Sequence, residues 1–175
     1  MIMFEAINEI PKNIKEKIVV VCTGKKEGFY YQLLIEKIDQ YGLQEQFLFV
    51  GRGDPYEISV VSDFLFLPSY KEGFALNIAE AFFIKLPSAR TATCGWADLK
   101  IGCLKIYADK TDEIKKIIVK LVTEGKETFS GQVDRAYKFA CENLTVEIMI
   151  KNTVEVYNRA IEVCYGKRKY KRSTK

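Results

Sequence analysis

Short apolar runs alternate with stretches of helical period along most of this chain, and that alternation constrains the fold more than any other feature. The runs fall at residues 18–22 (IVVVC), 47–50 (FLFV), 64–67 (FLFL), 88–91 (SART) and 103–107 (CLKIY). Parallel strands covered by helices on both faces read as continuous apolar runs, and their alternation with amphipathic segments predicts an α/β domain with an open, mainly parallel sheet. Residues 18–22 read as a fully buried central strand closed by Thr23 and Gly24. From Phe29, apolar spacing places Tyr30, Leu33, Leu34, Ile38 and Tyr41 on one helical face, with Gly42 as the C-cap. Ile114, Ile117, Ile118, Leu121 and Val122 mark another amphipathic helix, with Thr111 as N-cap and Asp112 and Glu113 at its positive end. Two more helices are expected over 132–142 and 146–164, the last with Ile150, Val154, Tyr157, Ile161 and Cys164 along one stripe. Residues 1–14 read as a helix ended by Pro11, so the sequence enters a β-α repeat at its helix, and a strand ahead of it is expected in a longer parent.

Composition narrows the chemistry. The 175 residues, 48% of them hydrophobic, suit one domain with a substantial core. There is no histidine, which excludes a Ser-His-Asp or Cys-His nucleophile, a histidine general base and a His-ligated metal. Carboxylates, backbone amides, lysines and arginines must do any chemical work. The five cysteines form no C-x-x-C pair and read as reduced thiols. The net charge of +4 belongs to residues 166–175, which hold six basic and no acidic residues. The remaining residues carry 21 basic against 23 acidic side chains, so a nucleic-acid partner is not expected. No run reaches membrane-spanning length and the N-terminus lacks signal-peptide features, so a cytoplasmic location is expected. The expected division is a domain over 1–165 and a basic tail over 166–175. The tail reads as a disordered end or as a weak contact for the anionic inner face of a membrane.

Two motifs stand where open α/β folds bind ligands, at the C-terminal ends of strands. Thr23-Gly24-Lys25-Lys26 follows the first strand but matches neither G-x-x-x-x-G-K nor G-x-G-x-x-G, and reads as an exposed turn. The stretch E-G-F-A-L-N-I-A-E, after a strand ending in Pro68-Ser69, holds Glu72 and Glu80 with seven residues between them. A helix starting near residues 75–77 would aim its free amides and positive dipole end at a phosphate. Gly73 would let a ligand approach the backbone closely. A carboxylate can accept two hydrogen bonds from a ribose diol. The spacing alone is equally compatible with a surface loop acid at 72 and an ordinary helix acid at 80.

Residues 47–98 resemble the donor-binding C-terminal domain of family 4 (group 1) glycosyltransferases of GT-B fold. The likeness is carried by Phe49-Val50-Gly51, Ser62-Asp63, Pro68-Ser69, Glu72-Gly73-Phe74 and Glu80-Ala81, in order and at fitting spacing. Its flanks extend it over about residues 4–162. It implies a Rossmann-like open parallel sheet, one half of a GT-B enzyme with extra C-terminal helices, and retaining transfer of a sugar from a UDP or GDP donor. It also implies that Glu80 holds the ribose, that Glu72 contacts the donor sugar as the catalytic position, and that Gly73, Phe74, Ala75, Leu76 and Asn77 receive sugar and diphosphate. Gly24, Gly51 and Arg52 would surround the base. No metal or other cofactor is implied. The acceptor, a glycan or lipid-linked sugar, would be held by a further N-terminal domain.

Three departures stand out. Ala75 occupies a position that is often glycine in the family. The usual Gly-Gly loop is replaced by a segment running from Arg90-Thr91 to Asp98. The family's diphosphate-binding Arg and Lys follow a strand that would lie ahead of Met1, leaving Lys25, Lys26 and Arg52 as substitutes. A chain so placed is expected to bind nucleotide weakly and to transfer sugar inefficiently by itself. The alternative is a nucleotide-binding or assembly module without catalysis.

Overall fold

The computed structural model describes residues 2–91, 104–106 and 110–172. The chain divides into two compact units, Met1–Tyr137 and Lys138–Lys175. In the first unit, α1 (Ile2–Asn8) and the short α2 (Lys12–Lys15) replace the single expected helix, broken at Pro11. Then follow β1 (Val20–Thr23), α3 (Phe29–Tyr41), β2 (Phe47–Gly51), α4 (Pro55–Val60) and β3 (Leu65–Leu67). After these come α5 (Leu76–Phe83), β4 (Ser88–Thr91), β5 (Leu104–Ile106), α6 (Thr111–Glu124), a 3₁₀ turn (Lys126–Phe129) and α7 (Ser130–Asn143). Helix α7 runs across the division between the units. The second unit holds α8 (Val146–Arg172), so the expected boundary at Gly166 lies inside a helix. The expected stripe of Ile150, Val154, Tyr157, Ile161 and Cys164 is exposed. Among the described residues, no helix is long and apolar enough to cross a membrane.

Among the described residues every strand pair is parallel, as the alternating pattern requires, but the strands form two sheets instead of one. One has the order β1-β2 and the other β3-β4-β5. Strand β1 is therefore not the fully buried central strand expected. Val20 and Cys22 are half-buried while Val21 is exposed, because among the described residues β1 pairs on one side only. Strand β2 alternates likewise, with Phe47 and Phe49 inward and Leu48 and Val50 outward.

A shared core joins the inner faces. Ile2, Phe4, Ala6 and Ile7 of α1 pack with Ile38, Leu43, Ala89, Ile114 and Ile118, against Val20, Phe47, Phe49, Phe64 and Phe66. The rings of Phe4 and Phe47 lie 4.7 Å apart, and those of Phe64 and Phe129 5.3 Å. Burying these aliphatic and aromatic side chains supplies the main driving force for folding, about 1.5–3 kcal/mol for each fully buried one. In α3 the expected Tyr30 is exposed and Tyr31 instead packs edge-on to Phe49 at 5.2 Å. Gly42 ends α3 in the left-handed conformation, φ 63°, as its glycine predicts. Thr111 is not the N-cap of α6: it is the first helical residue, with Lys110 at the cap position.

Candidate functional site

The expected site residues fall into two groups. The first forms where β1 and β2 end. The Gly24 N–H donates to the Gly51 carbonyl at 2.9 Å, just past a register shift between Cys22 and Thr23. Both glycines have positive φ, 143° and 77°, which a side chain would resist. Gly24, Lys25, Lys26, Glu27, Gly51 and Arg52 line an open basin of about 480 Å³. Lys25 pairs with Glu27 at 3.3 Å, while Lys26 and Arg52 add positive charge, so the basin suits an anionic ligand. Cys22 lies at the end of the same strand, but burial pushes its thiol above the usual range, away from the thiolate a nucleophile requires.

The second group forms where β3 ends. Ser69 Oγ donates to Glu72 Oε2 at 3.1 Å, and the Gly73 N–H donates to Glu72 Oε1 at 3.3 Å. Glu72 is thus half-buried and held from both sides. Thr91 Oγ1 in β4 donates to the Ser69 carbonyl, which ties this loop to the sheet. Sequence reasoning did not single out Ser69 or Thr91 for this tie; a hydroxyl three residues before Glu72 was the available signal.

Ala75 then turns the chain into α5 with φ 57° and ψ 65°. Glycine adopts this left-handed conformation readily and alanine does not, which gives the family's frequent glycine a physical reason. Phe74 and Leu76 are exposed on either side, and Ala75 itself is buried. Asn77 Oδ1 accepts from the Ile78 N–H at 3.0 Å, engaging one amide of the first turn. Glu80 stands exposed in the second turn. Tyr56, another aromatic near the site in sequence, is exposed on α4. Arg90 is almost wholly buried, with Nη1 donating to the Thr91 carbonyl at 3.4 Å. Asp98 lies outside the described residues. The structure brings Gly24, Gly51 and Arg52 into one basin and Glu72 and Gly73 into one loop, but neither Glu72 nor Glu80 lines that basin.

Residues 2–102 match the family of glycosyl transferases group 1, a span that includes both groups. The chain belongs to that family. Among solved structures, this group 1 chain is similar to HepE from Anabaena, at 19% identity and a TM-score of 0.78, covering 90% of this chain and 44% of that one. It is similar to WaaG, a glycosyltransferase involved in lipopolysaccharide biosynthesis, at 19% identity and a TM-score of 0.68, covering 81% and 39%. A glycosyltransferase from Rickettsia africae ESF-5 gives 15% identity and a TM-score of 0.75, covering 92% and 44%. These likenesses establish the GT-B type of α/β fold. The chain spans less than half the length of each. No curated protein sequence matches it.

Proposed function

We propose that this chain is the donor half of a retaining glycosyltransferase, binding a UDP- or GDP-sugar for transfer to a glycan or lipid-linked acceptor held by another domain. The observation that carries this reading is the loop after β3, where Glu72 is fixed by Ser69 and Gly73 directly ahead of the α5 N-terminus. HepE from Anabaena, similar in fold, is solved with UDP-glucose and with UDP and glucose.

In this reading Glu80 accepts hydrogen bonds from the ribose diol, and Glu72 positions the donor sugar. The backbone from Gly73 to Asn77 faces the diphosphate, where amides and the positive helix end stabilise the charge that grows as the sugar leaves. Gly24, Gly51 and Arg52 surround the base. The bond from the anomeric carbon to the phosphate oxygen breaks, a bond to the acceptor oxygen forms on the same face, and the acceptor proton passes to the departing diphosphate. No step calls for a metal. The site would face the cytoplasm, with the basic tail giving weak contact to an anionic membrane surface.

A second reading, a nucleotide-binding or assembly module without transfer, is favoured by the separation of Glu72 and Glu80 from the basin. Calorimetric titration of the chain with UDP, GDP and UDP-glucose, beside Glu80→Ala, tests the assignment. Nucleotide binding that weakens about tenfold in Glu80→Ala, the loss of about 1.4 kcal/mol, is expected. Absence of nucleotide binding, or unchanged affinity in the variant, would overturn it. Retained binding with no sugar transfer when the acceptor half is supplied would favour the second reading.

A further inference from the structure

Thr91 closes β4, the middle strand of its sheet, which pairs with β3 on one side and, at Thr91 itself, with Ile106 of β5 on the other. It is only 2% exposed, so its hydroxyl is withdrawn from bulk water and has to bond within the protein. The Leu65 N–H donates to the Pro87 carbonyl at 2.9 Å, which turns the polar groups of Leu65 and Leu67 toward β4. The same alternation turns the Ser69 carbonyl that way, and there a side chain makes the link: Thr91 Oγ1 donates to the Ser69 carbonyl. Ser69 uses a second polar group as well. Its Oγ donates to Glu72 Oε2 at 3.1 Å, while the Gly73 N–H donates to Glu72 Oε1 at 3.3 Å. Each carboxylate oxygen is engaged once and keeps acceptor capacity for a ligand.

We infer that Ser69 and Thr91 are positioning residues: they hold the Glu72 carboxylate in place before a ligand arrives, and so set the preference for a sugar-bearing donor over the bare nucleotide. The hold itself follows from the hydrogen bonds. The preference rests on the donor reading proposed above, in which Glu72 meets the sugar and Glu80 the ribose. Ordering a mobile glutamate side chain costs about tenfold in affinity, and a carboxylate already fixed from two sides has met that cost in the free protein. Glu80, in the second turn of α5, lies off this chain of bonds. Breaking the chain of bonds should therefore weaken the contribution of the sugar and spare that of the nucleotide.

The two links can be cut separately. Thr91→Val keeps the shape of a buried side chain and removes the first donor, Thr91→Ser restores a hydroxyl, and Ser69→Ala removes the second donor while leaving the Ser69 carbonyl. Two readouts are taken on the full chain. One is the amide proton resonance of Gly73, with Glu72→Ala marking the position it takes without the carboxylate. The other is the ratio of affinities, by calorimetry, for UDP-glucose over UDP and for GDP-mannose over GDP. In Thr91→Val and Ser69→Ala the Gly73 resonance is expected to move toward its place in Glu72→Ala. The ratio for the nucleotide that binds is expected to fall about threefold to tenfold, with affinity for the bare nucleotide within about twofold of the parent. Thr91→Ser is expected to match the parent in both.

An unmoved Gly73 resonance in Thr91→Val, or a Thr91→Ser variant that behaves as Thr91→Val does, would overturn the hold on Glu72. A ratio that falls in Glu72→Ala but stays at the parent value in Thr91→Val and Ser69→Ala would overturn the preference. Equal losses for the bare nucleotide and its sugar conjugate would also overturn it, since they mark a general loosening of the loop. Absence of nucleotide binding, or a ratio unchanged in Glu72→Ala, would sink the donor reading and the preference together, and the Gly73 resonance alone would then decide the hold.

Discussion

Ala75 offers a measurement in which one energetic effect can be separated from the rest. Its left-handed conformation, φ 57° and ψ 65°, costs an L-residue with a Cβ about 1–2 kcal/mol. Ala79, three residues into α5, lies in ordinary helix and is comparably buried, 7% exposed against 5%. Replacing either alanine by glycine removes a buried methyl, about 0.8 kcal/mol. Each replacement also adds freedom to the unfolded chain, about 0.5–1 kcal/mol. Ala79→Gly is therefore expected to destabilise by about 1.5 kcal/mol. In Ala75→Gly the relief of strain offsets most of that loss, leaving the variant within about 1 kcal/mol of the parent. The difference between the two variants isolates the left-handed cost. With a urea slope of about 2 kcal/mol/M it separates their midpoints by about 0.5–1 M. Equal losses in both variants, with unchanged slopes, would show that Ala75 stores no strain and that the start of α5 is not held as described.

Two further predictions concern α1 and α6. Ile7 is fully buried, and Ile7→Ala removes three carbon groups worth about 2.4 kcal/mol of transfer, raised to about 3–4 kcal/mol by the cavity left behind. A loss under about 1 kcal/mol in urea unfolding would remove α1 from the core. Lys115 of α6 binds Asp112 and Glu9 at 2.8 Å each, which holds the Asp112 carboxyl below its usual range and lifts Lys115 to about 12. A carboxylate lowered by folding stabilises above its unfolded value and loses that contribution as pH falls through its folded one. The raised lysine contributes below its unfolded value and loses that contribution as pH rises through about 12. Stability measured from pH 5 downward should fall less steeply in Asp112→Asn than in the parent, and identical slopes would refute the pairing.

What could be read from the sequence was local. The short runs located each of the five strands among the described residues within two residues at either end, because strand length and turn chemistry are short-range properties. Gly42 and Pro11 marked helix boundaries for the same reason. The division of the strands into two sheets could not be read this way, since pairing depends on which segments meet in space. Nor could the choice of Tyr31 over Tyr30, adjacent tyrosines with similar propensity, which is settled by where Phe49 lies across the core. Ala75 gave no local signal of its left-handed backbone, because alanine is an ordinary helix former.

The candidate site shows the same division, with a consequence for how Glu72 is held. The spacing of Glu72 and Glu80 was visible in the sequence, but what aims Glu72 is a relay of hydroxyls. Thr91 of β4 binds the Ser69 carbonyl, and the Ser69 hydroxyl binds the Glu72 carboxylate. Thr91 is also paired in register with Ile106 of β5, while its neighbour Arg90 is paired with Leu67 of β3. The position of the carboxylate is thus inherited from the β3-β4-β5 ladder and not from the loop that carries it. A group built on a sheet keeps its geometry better than one held by loop contacts alone, because moving it requires breaking ladder hydrogen bonds. The Gly24 and Arg52 basin is inherited from the other sheet. The relative placement of the Glu72 loop and the basin is therefore fixed by how the two sheets are held together, through the apolar cluster that α1 shares with both.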